Sequence, residues 1–108
     1  IIIAMIENEK ALKNLDKILK IKNLDCILIG PYDLSASMGI PGKFKNTKFK
    51  NAVKFIKSSC KINKIPCGLH VIEPNLKELK KYANQGFNFL PFSTDTYILN
   101  QAIEKMFK

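Results

Sequence analysis

The sequence predicts an α/β fold of four successive βα units with parallel strands, a fragment of a (β/α) TIM barrel. Three observations carry this: four short apolar runs, four amphipathic stretches between and after them, and turn residues at the junctions. The runs are 1–6, 26–29, 66–71 and 87–92. They are apolar almost without interruption, as expected of strands buried on both faces of a parallel sheet. Leu12, Leu15, Ile18 and Leu19 form one stripe at helical spacing, and Phe49, Ala52, Val53, Ile56 and Cys60 a second. Leu76, Leu79 and Ala83 make the third; Leu99, Ala102, Ile103 and Met106 make the fourth. Lys, Glu and Asn occupy the opposite faces.

Punctuation supports the division. Pro74 suits a first helical turn, Thr94 or Asp95 an N-cap, and Gly86 a left-handed C-cap. Strand–helix–strand order implies right-handed parallel crossovers. A complete barrel takes about 250 residues, and this chain has 108. Four strands apolar throughout would leave two adhesive edges, which a second half barrel would cover. Residues 1–108 are therefore expected to be one C-terminal half-barrel domain, its start cut from something longer.

Composition excludes several classes. The net charge is +9, from 18 basic and 9 acidic side chains, and every basic residue is lysine. Nucleic-acid recognition leans on arginine for bidentate contacts. Lysines spread through every segment beside many Asn and Ile point instead to a compositional bias and solvated helix faces. No membrane-spanning run or secretory leader is read. The cysteines, Cys26, Cys60 and Cys67, are odd in number and lack a CxxC pair. Neither a disulfide framework nor a zinc site is expected, and a reducing, cytoplasmic setting fits.

The chemistry-bearing residues fall at the C-terminal ends of the strands, the face on which βα barrels build their sites. These ends read Glu7, then Gly30-Pro31-Tyr32-Asp33, then His70, then Ser93-Thr94-Asp95. Glu7 and Asp33 lie one βα unit apart, so they are expected to end neighbouring strands about 4.8 Å apart. Two carboxylates that close repel unless a cation lies between them or one is protonated. Hard oxygen donors select Mg²⁺ or Mn²⁺. The plainer reading makes Glu7 a helix-start residue and Asp33 a turn former. His70, the single histidine, stands open as acid or base, as a ligand, or as a hydrogen-bonded residue of the mouth. Residues 34–48 read as a long loop, whose Lys43, Lys45 and Lys48 either attract an anionic substrate or are solvated.

The segment ILIGPYDLSASMG over residues 27–39, with Met5-Ile6-Glu7, residues 14–19, Pro66-Cys67-Gly68 and residues 87–99, resembles the HpcH/HpaI aldolase family. These are class II aldolases acting on 2-oxo acids. The resemblance covers essentially the whole chain and corresponds to barrel strands five to eight. It implies that Glu7 and Asp33 bind Mg²⁺, Mn²⁺ or Co²⁺, and that the Gly30–Asp33 main chain holds the substrate carboxylate. Met5 departs from the glutamine of many members. The family's catalytic histidine and arginine would lie in the missing N-terminal half; His70 is in the wrong unit, and the chain has no arginine. The implied reaction is reversible cleavage of a 4-hydroxy-2-oxo acid to pyruvate, or a close analogue, and an aldehyde. A cation chelated by the keto acid would stabilise the enolate as a Lewis acid. A homo-oligomer, hexameric by resemblance, is expected, with the fragment alone inactive. Two alternatives are a CoA-ester lyase of the citrate or malyl type and a non-catalytic truncated barrel module.

Overall fold

The computed structural model describes residues 1–108. Its sheet has three parallel strands in the order β1 (Ile3–Ile6), β2 (Cys26–Ile29) and β3 (Cys67–Leu69). Ile6 pairs with Ile29, and Ile29 with Leu69, so the three strands end level. Between β1 and β2 lie α1 (Glu9–Lys13) and α2 (Leu15–Ile18). Next come α3 (Pro31–Ser37) and α4 (Thr47–Ile62), and β3 is followed by α5 (Leu76–Asn84) and α6 (Asp95–Met106).

Asparagine caps three of the six helices, its side-chain oxygen taking up an N–H that the first turn leaves without a partner. Asn8 accepts from Ala11 N at 2.8 Å, Asn46 from Lys48 N at 2.8 Å, and Asn75 from Lys77 N at 2.9 Å. Thr94 caps α6, accepting from Tyr97 N at 3.3 Å. Since Asn75 is the cap of α5, Pro74 lies outside that helix and not in its first turn. Gly86 takes φ +88° just past α5, as its position requires. The first helical stripe is split at Asn14, whose side chain bonds back to Lys10 O at 2.8 Å. Leu15 and Leu19 are nonetheless buried.

Two expectations change. Residues 34–48 are not one long loop: α3 begins at Pro31 and runs to Ser37. The remaining connection is residues 38–46, and the buried Ser35 hydroxyl holds it by donating to Tyr32 O at 2.9 Å and accepting from Gly42 N at 3.0 Å. The fourth apolar run does lie parallel to β3, through bridges Gly68–Phe89 and Val71–Phe92, but forms no continuous strand. Pro91 within it has no N–H to give.

Burial is one-sided on β1. Ile6, Ile27, Ile29, Cys67 and Leu69 point toward the helices and join Leu15, Leu34 and Ile56 in the core. On β1 the alternate residues Ile3 and Met5 remain 40% and 46% exposed. β2 and β3, each with a neighbour on both sides, are buried nearly throughout. α6 buries none of its residues, and Leu99, Ile103 and Met106 are open. Thus the expected burial on both faces holds for β2 and β3 and fails for β1; in this chain alone the outward face and edge of β1 and α6 stay uncovered.

Gly68 sets how closely the fourth run approaches. A Cβ there would stand 2.5 Å from Phe89 O and 3.0 Å from Phe89 Cβ. Gly68→Ala is expected to cost the complete protein about 1–3 kcal/mol through overpacking. A lower denaturant midpoint at unchanged slope is the readout; an unmoved midpoint refutes the close approach.

Candidate metal and substrate site

Beyond the paired ends of β1 and β2, Gly30 N donates to Ile6 O at 3.1 Å, so Glu7 and Gly30 leave the sheet side by side. A Cβ on Gly30 would stand 3.4 Å from Glu7 Cβ, 3.6 Å from Glu7 Oε2 and 3.7 Å from the Met5 methyl. The half-buried Glu7 carboxylate therefore lies over the Gly30 main chain, beside Met5. Met5 and Glu7 share the sheet face turned away from the helices, as strand alternation requires. Opposite Glu7 stands Gly30, not Asp33. The expected pairing of two strand-end carboxylates is replaced by one carboxylate on the sheet and one in the first turn of α3.

α3 starts where it does because Pro31 fixes the helical φ at its first position. Gly30, its N-cap, supplies no side-chain acceptor to the first-turn N–H groups. Pro31 is buried, whereas Tyr32 and Asp33 face solvent. The Tyr32 ring meets Phe44 edge-on with centroids 4.9 Å apart. The chain's two ion pairs, Lys48–Glu9 and Lys81–Glu78, involve neither Glu7 nor Asp33. No group of three or more His, Cys, Asp and Glu side chains converges to form a metal cage. Two carboxylates without a lysine partner are still a fitting donor set for a hard cation that keeps waters and substrate in its other positions.

The mouth has a fastening that residue spacing gave no means of seeing. Glu9 N donates to Ser37 Oγ at 3.1 Å, and Ser37 Oγ donates to Leu34 O at 2.8 Å. Lys48 Nζ bridges the Glu9 carboxylate at 2.9 Å and Met38 O at 3.2 Å. The segment after Glu7 is thereby tied to the helix carrying Asp33. Lys48 is not a free solvated charge. Its hydrogen bond and its charge together hold the Glu9 carboxyl below the ordinary glutamate range. A depressed carboxyl keeps the tie at neutral pH and gives it up only as pH falls through that lowered value. The Glu9 titration midpoint followed by NMR is expected below the ordinary range and should return to it in Lys48→Met; equal midpoints in both proteins would discount the tie.

His70 follows β3 directly, and its Nε2 donates to Ser93 O at 2.9 Å. Among its three open readings, the geometry favours the hydrogen-bonded histidine that joins two strand ends. Ser93 has φ +60°, is buried, and its hydroxyl has no partner. Asp95 is not the cap of α6; its carboxylate accepts from Thr96 N at 2.7 Å. Left-handed backbone at a non-glycine residue costs roughly 1–2 kcal/mol, and an orphaned buried hydroxyl costs about as much or more. Ser93→Gly is expected to stabilise the protein by about 1 kcal/mol after the glycine entropy cost. A loss of stability would mean that the hydroxyl is bonded in the complete protein.

Parallel strands ending level, with carboxylates, an uncapped helix start and a histidine at their C-terminal ends, make an α/β fold with the strand and helix arrangement of TIM-barrel proteins. Residues 1–102 match the family model HpcH/HpaI aldolase/citrate lyase, and the chain belongs to this family. It is 31% identical over 103 residues to the 4-hydroxy-4-methyl-2-oxoglutarate aldolase of Chaetomium globosum, covering 94% of this chain and 38% of that protein. It is 30% identical over 105 residues to the 4-hydroxy-2-oxo-heptane-1,7-dioate aldolase of Shigella sonnei, covering 97% of this chain and 39% of that protein. The fold is shared with the crystal structure of an HpcH/HpaI aldolase from Desulfitobacterium hafniense, at TM-score 0.87 and 24% identity. That likeness covers 96% of this chain and 40% of the other. The chain thus spans about two fifths of the length of the proteins it matches.

Proposed function

We propose that this chain is the carboxylate-bearing part, strands five to eight, of a divalent-metal-dependent class II aldolase. The reaction is reversible carbon–carbon cleavage of a 4-hydroxy-2-oxo acid to pyruvate, or a close analogue, and an aldehyde. One observation carries the reading: Glu7 lies over Gly30 beside the helix start bearing Asp33, and neither carboxylate has a lysine ion pair in a chain with 18 lysines.

Glu7 and Asp33 would hold Mg²⁺, Mn²⁺ or Co²⁺ through hard oxygen atoms. When bound, the cation supplies Lewis-acid stabilisation of the enolate oxygen as the C3–C4 bond breaks. Gly30, lacking a Cβ, leaves room for a small acid against the main chain. The first-turn N–H groups of Tyr32 and Asp33, with no side-chain cap, orient its carboxylate. Met5 gives the same site an apolar wall. His70 fixes the Ser93 strand end and is not assigned proton transfer. The base and an arginine would come from the N-terminal half of the barrel, so the 108-residue chain alone is expected to be inactive. That half would also cover the edge and outward face of β1. The exposed apolar side of α6 accords with a homo-oligomer, hexameric by family resemblance.

In the complete enzyme, Glu7→Gln and Asp33→Asn are each expected to lower metal-dependent pyruvate release by about 100-fold or more, as when a principal electrostatic stabiliser is removed. Mn²⁺ affinity, read by electron paramagnetic resonance, should fall in parallel. Full activity in either variant, or activity that survives chelation, would overturn the assignment. Thiol release from a CoA ester would move the substrate class to the citrate or malyl lyases.

A further inference from the structure

α4 differs from every other helix in the chain. It carries Lys48, Lys50, Lys54, Lys57 and Lys61 and no acidic residue. Each other helix includes at least one Asp or Glu. A general preference for lysine does not remove acids from one helix alone. The arrangement also works against the helix, because like charges three and four residues apart repel and lysines in the first turn oppose the dipole.

Four of these lysines, 50, 54, 57 and 61, lie on one face and line an open cleft of about 1220 Å³ that reaches across to α5. Lys43, Lys45 and Lys81 also line it, against only Glu73 and Glu78. Glu78 is already paired with Lys81 at 3.3 Å. The other six cleft lysines have no ion-pair partner. The floor is apolar and aromatic, formed by Phe49, Val53, Leu69, Val71, Tyr82 and Phe87. Lys57 Nζ stands 5.3 Å from the Phe87 ring centroid, so one cation is already turned over that floor.

We propose that this cleft is a binding site for a small polyphosphorylated ligand with a flat apolar body, of the nucleoside polyphosphate class. Lys50 to Lys61 covers about 16 Å of helix, a length that a monoanionic 2-oxo acid cannot span and a chain of phosphates with a ring can. Lysine, a point charge, suits phosphate binding without bidentate geometry. Phe49, Leu69, Val71 and Phe87 are buried beneath the cleft, and the half-buried Tyr82 ring is the floor surface on which a flat group would stack. Glu7 and Asp33 do not line the cleft and the proposal does not depend on the aldolase reading, while Pro31, Tyr32 and His70 bring one end of the cleft up to the mouth.

The test uses the complete protein and calorimetric titration, at low salt without magnesium, with adenosine triphosphate, inorganic tripolyphosphate, adenosine and a single-stranded RNA oligomer as probes. Both phosphate compounds are expected to bind, with affinity falling as salt rises, and adenosine alone should bind weakly. Adenosine triphosphate binding about tenfold tighter than tripolyphosphate would assign the floor to a nucleobase. Equal affinities would assign the site to free polyphosphate. A combined Lys54→Gln, Lys57→Gln, Lys61→Gln variant should weaken binding at least about tenfold. A Lys10→Gln, Lys17→Gln, Lys20→Gln control, with the same loss of charge, should stay within about twofold. Equal weakening in both variants, no binding of either phosphate compound, or tighter binding of single-stranded RNA would overturn the proposal.

Discussion

Level pairing of β1 with β2, continued to β3, is the constraint on which the rest of the molecule depends. Because Ile6, Ile29 and Leu69 are register partners, the residues that follow each strand emerge at one height. Glu7, Gly30 and His70 are neighbours for that reason alone, although the chain separates them by whole helices. The register is held by burial: Ile6, Ile27 and Ile29 are fully enclosed under the helices. A slip by one residue would turn those side chains to the opposite face and bring Met5 and Glu7 into the core. The apolar helix-facing side and the polar mouth are thus two consequences of one alignment.

Strand and helix identity were legible where pattern was strong. The second apolar run, bounded by Asp25 and Gly30, is the strand it was expected to be. The stripe from Phe49 to Cys60 lies on α4 with Phe49, Ala52, Ile56 and Cys60 buried. Illegible features were those decided by single hydrogen bonds. Asn14 breaks the first stripe by bonding its own backbone neighbour, and Ser35 closes a turn where only a loop was read. Pro31 announces a helix start, yet the Gly and Pro residues after it outweighed that signal. The fourth run looked as strand-like as the others, but Pro91 interrupts its ladder.

The site was partly legible for the same reason. The position of Glu7 at the end of its strand was read from the apolar run before it, whereas the alternation that puts Met5 and Glu7 on one face and Ile6 on the other was hidden in that run, because its residues are all apolar. Asp33 was harder, since its distance from the sheet depends on where the strand stops and the helix begins. A hydrogen-bonded His70 was among the readings from position; its partner, Ser93 O, lies on another strand end and has no local signature. The Glu9–Lys48–Met38 fastening joins residues that no periodicity connects.

Charge is divided by place and not only by amount. A chain at +9 surrounds every carboxylate with potential partners, yet the ion pairs form at Glu9 and Glu78, away from Glu7 and Asp33. Glu9 attracts Lys48 beside the mouth, which keeps that ammonium engaged two residues from Glu7. The other lysines of α4 turn instead toward the flank next to α5. This separation matters because a nearby ammonium would compete with a divalent ion for the same oxygen atoms. Glu7 and Asp33 thus keep hard oxygens free of ammonium partners, which is what the proposed divalent ion would require of them.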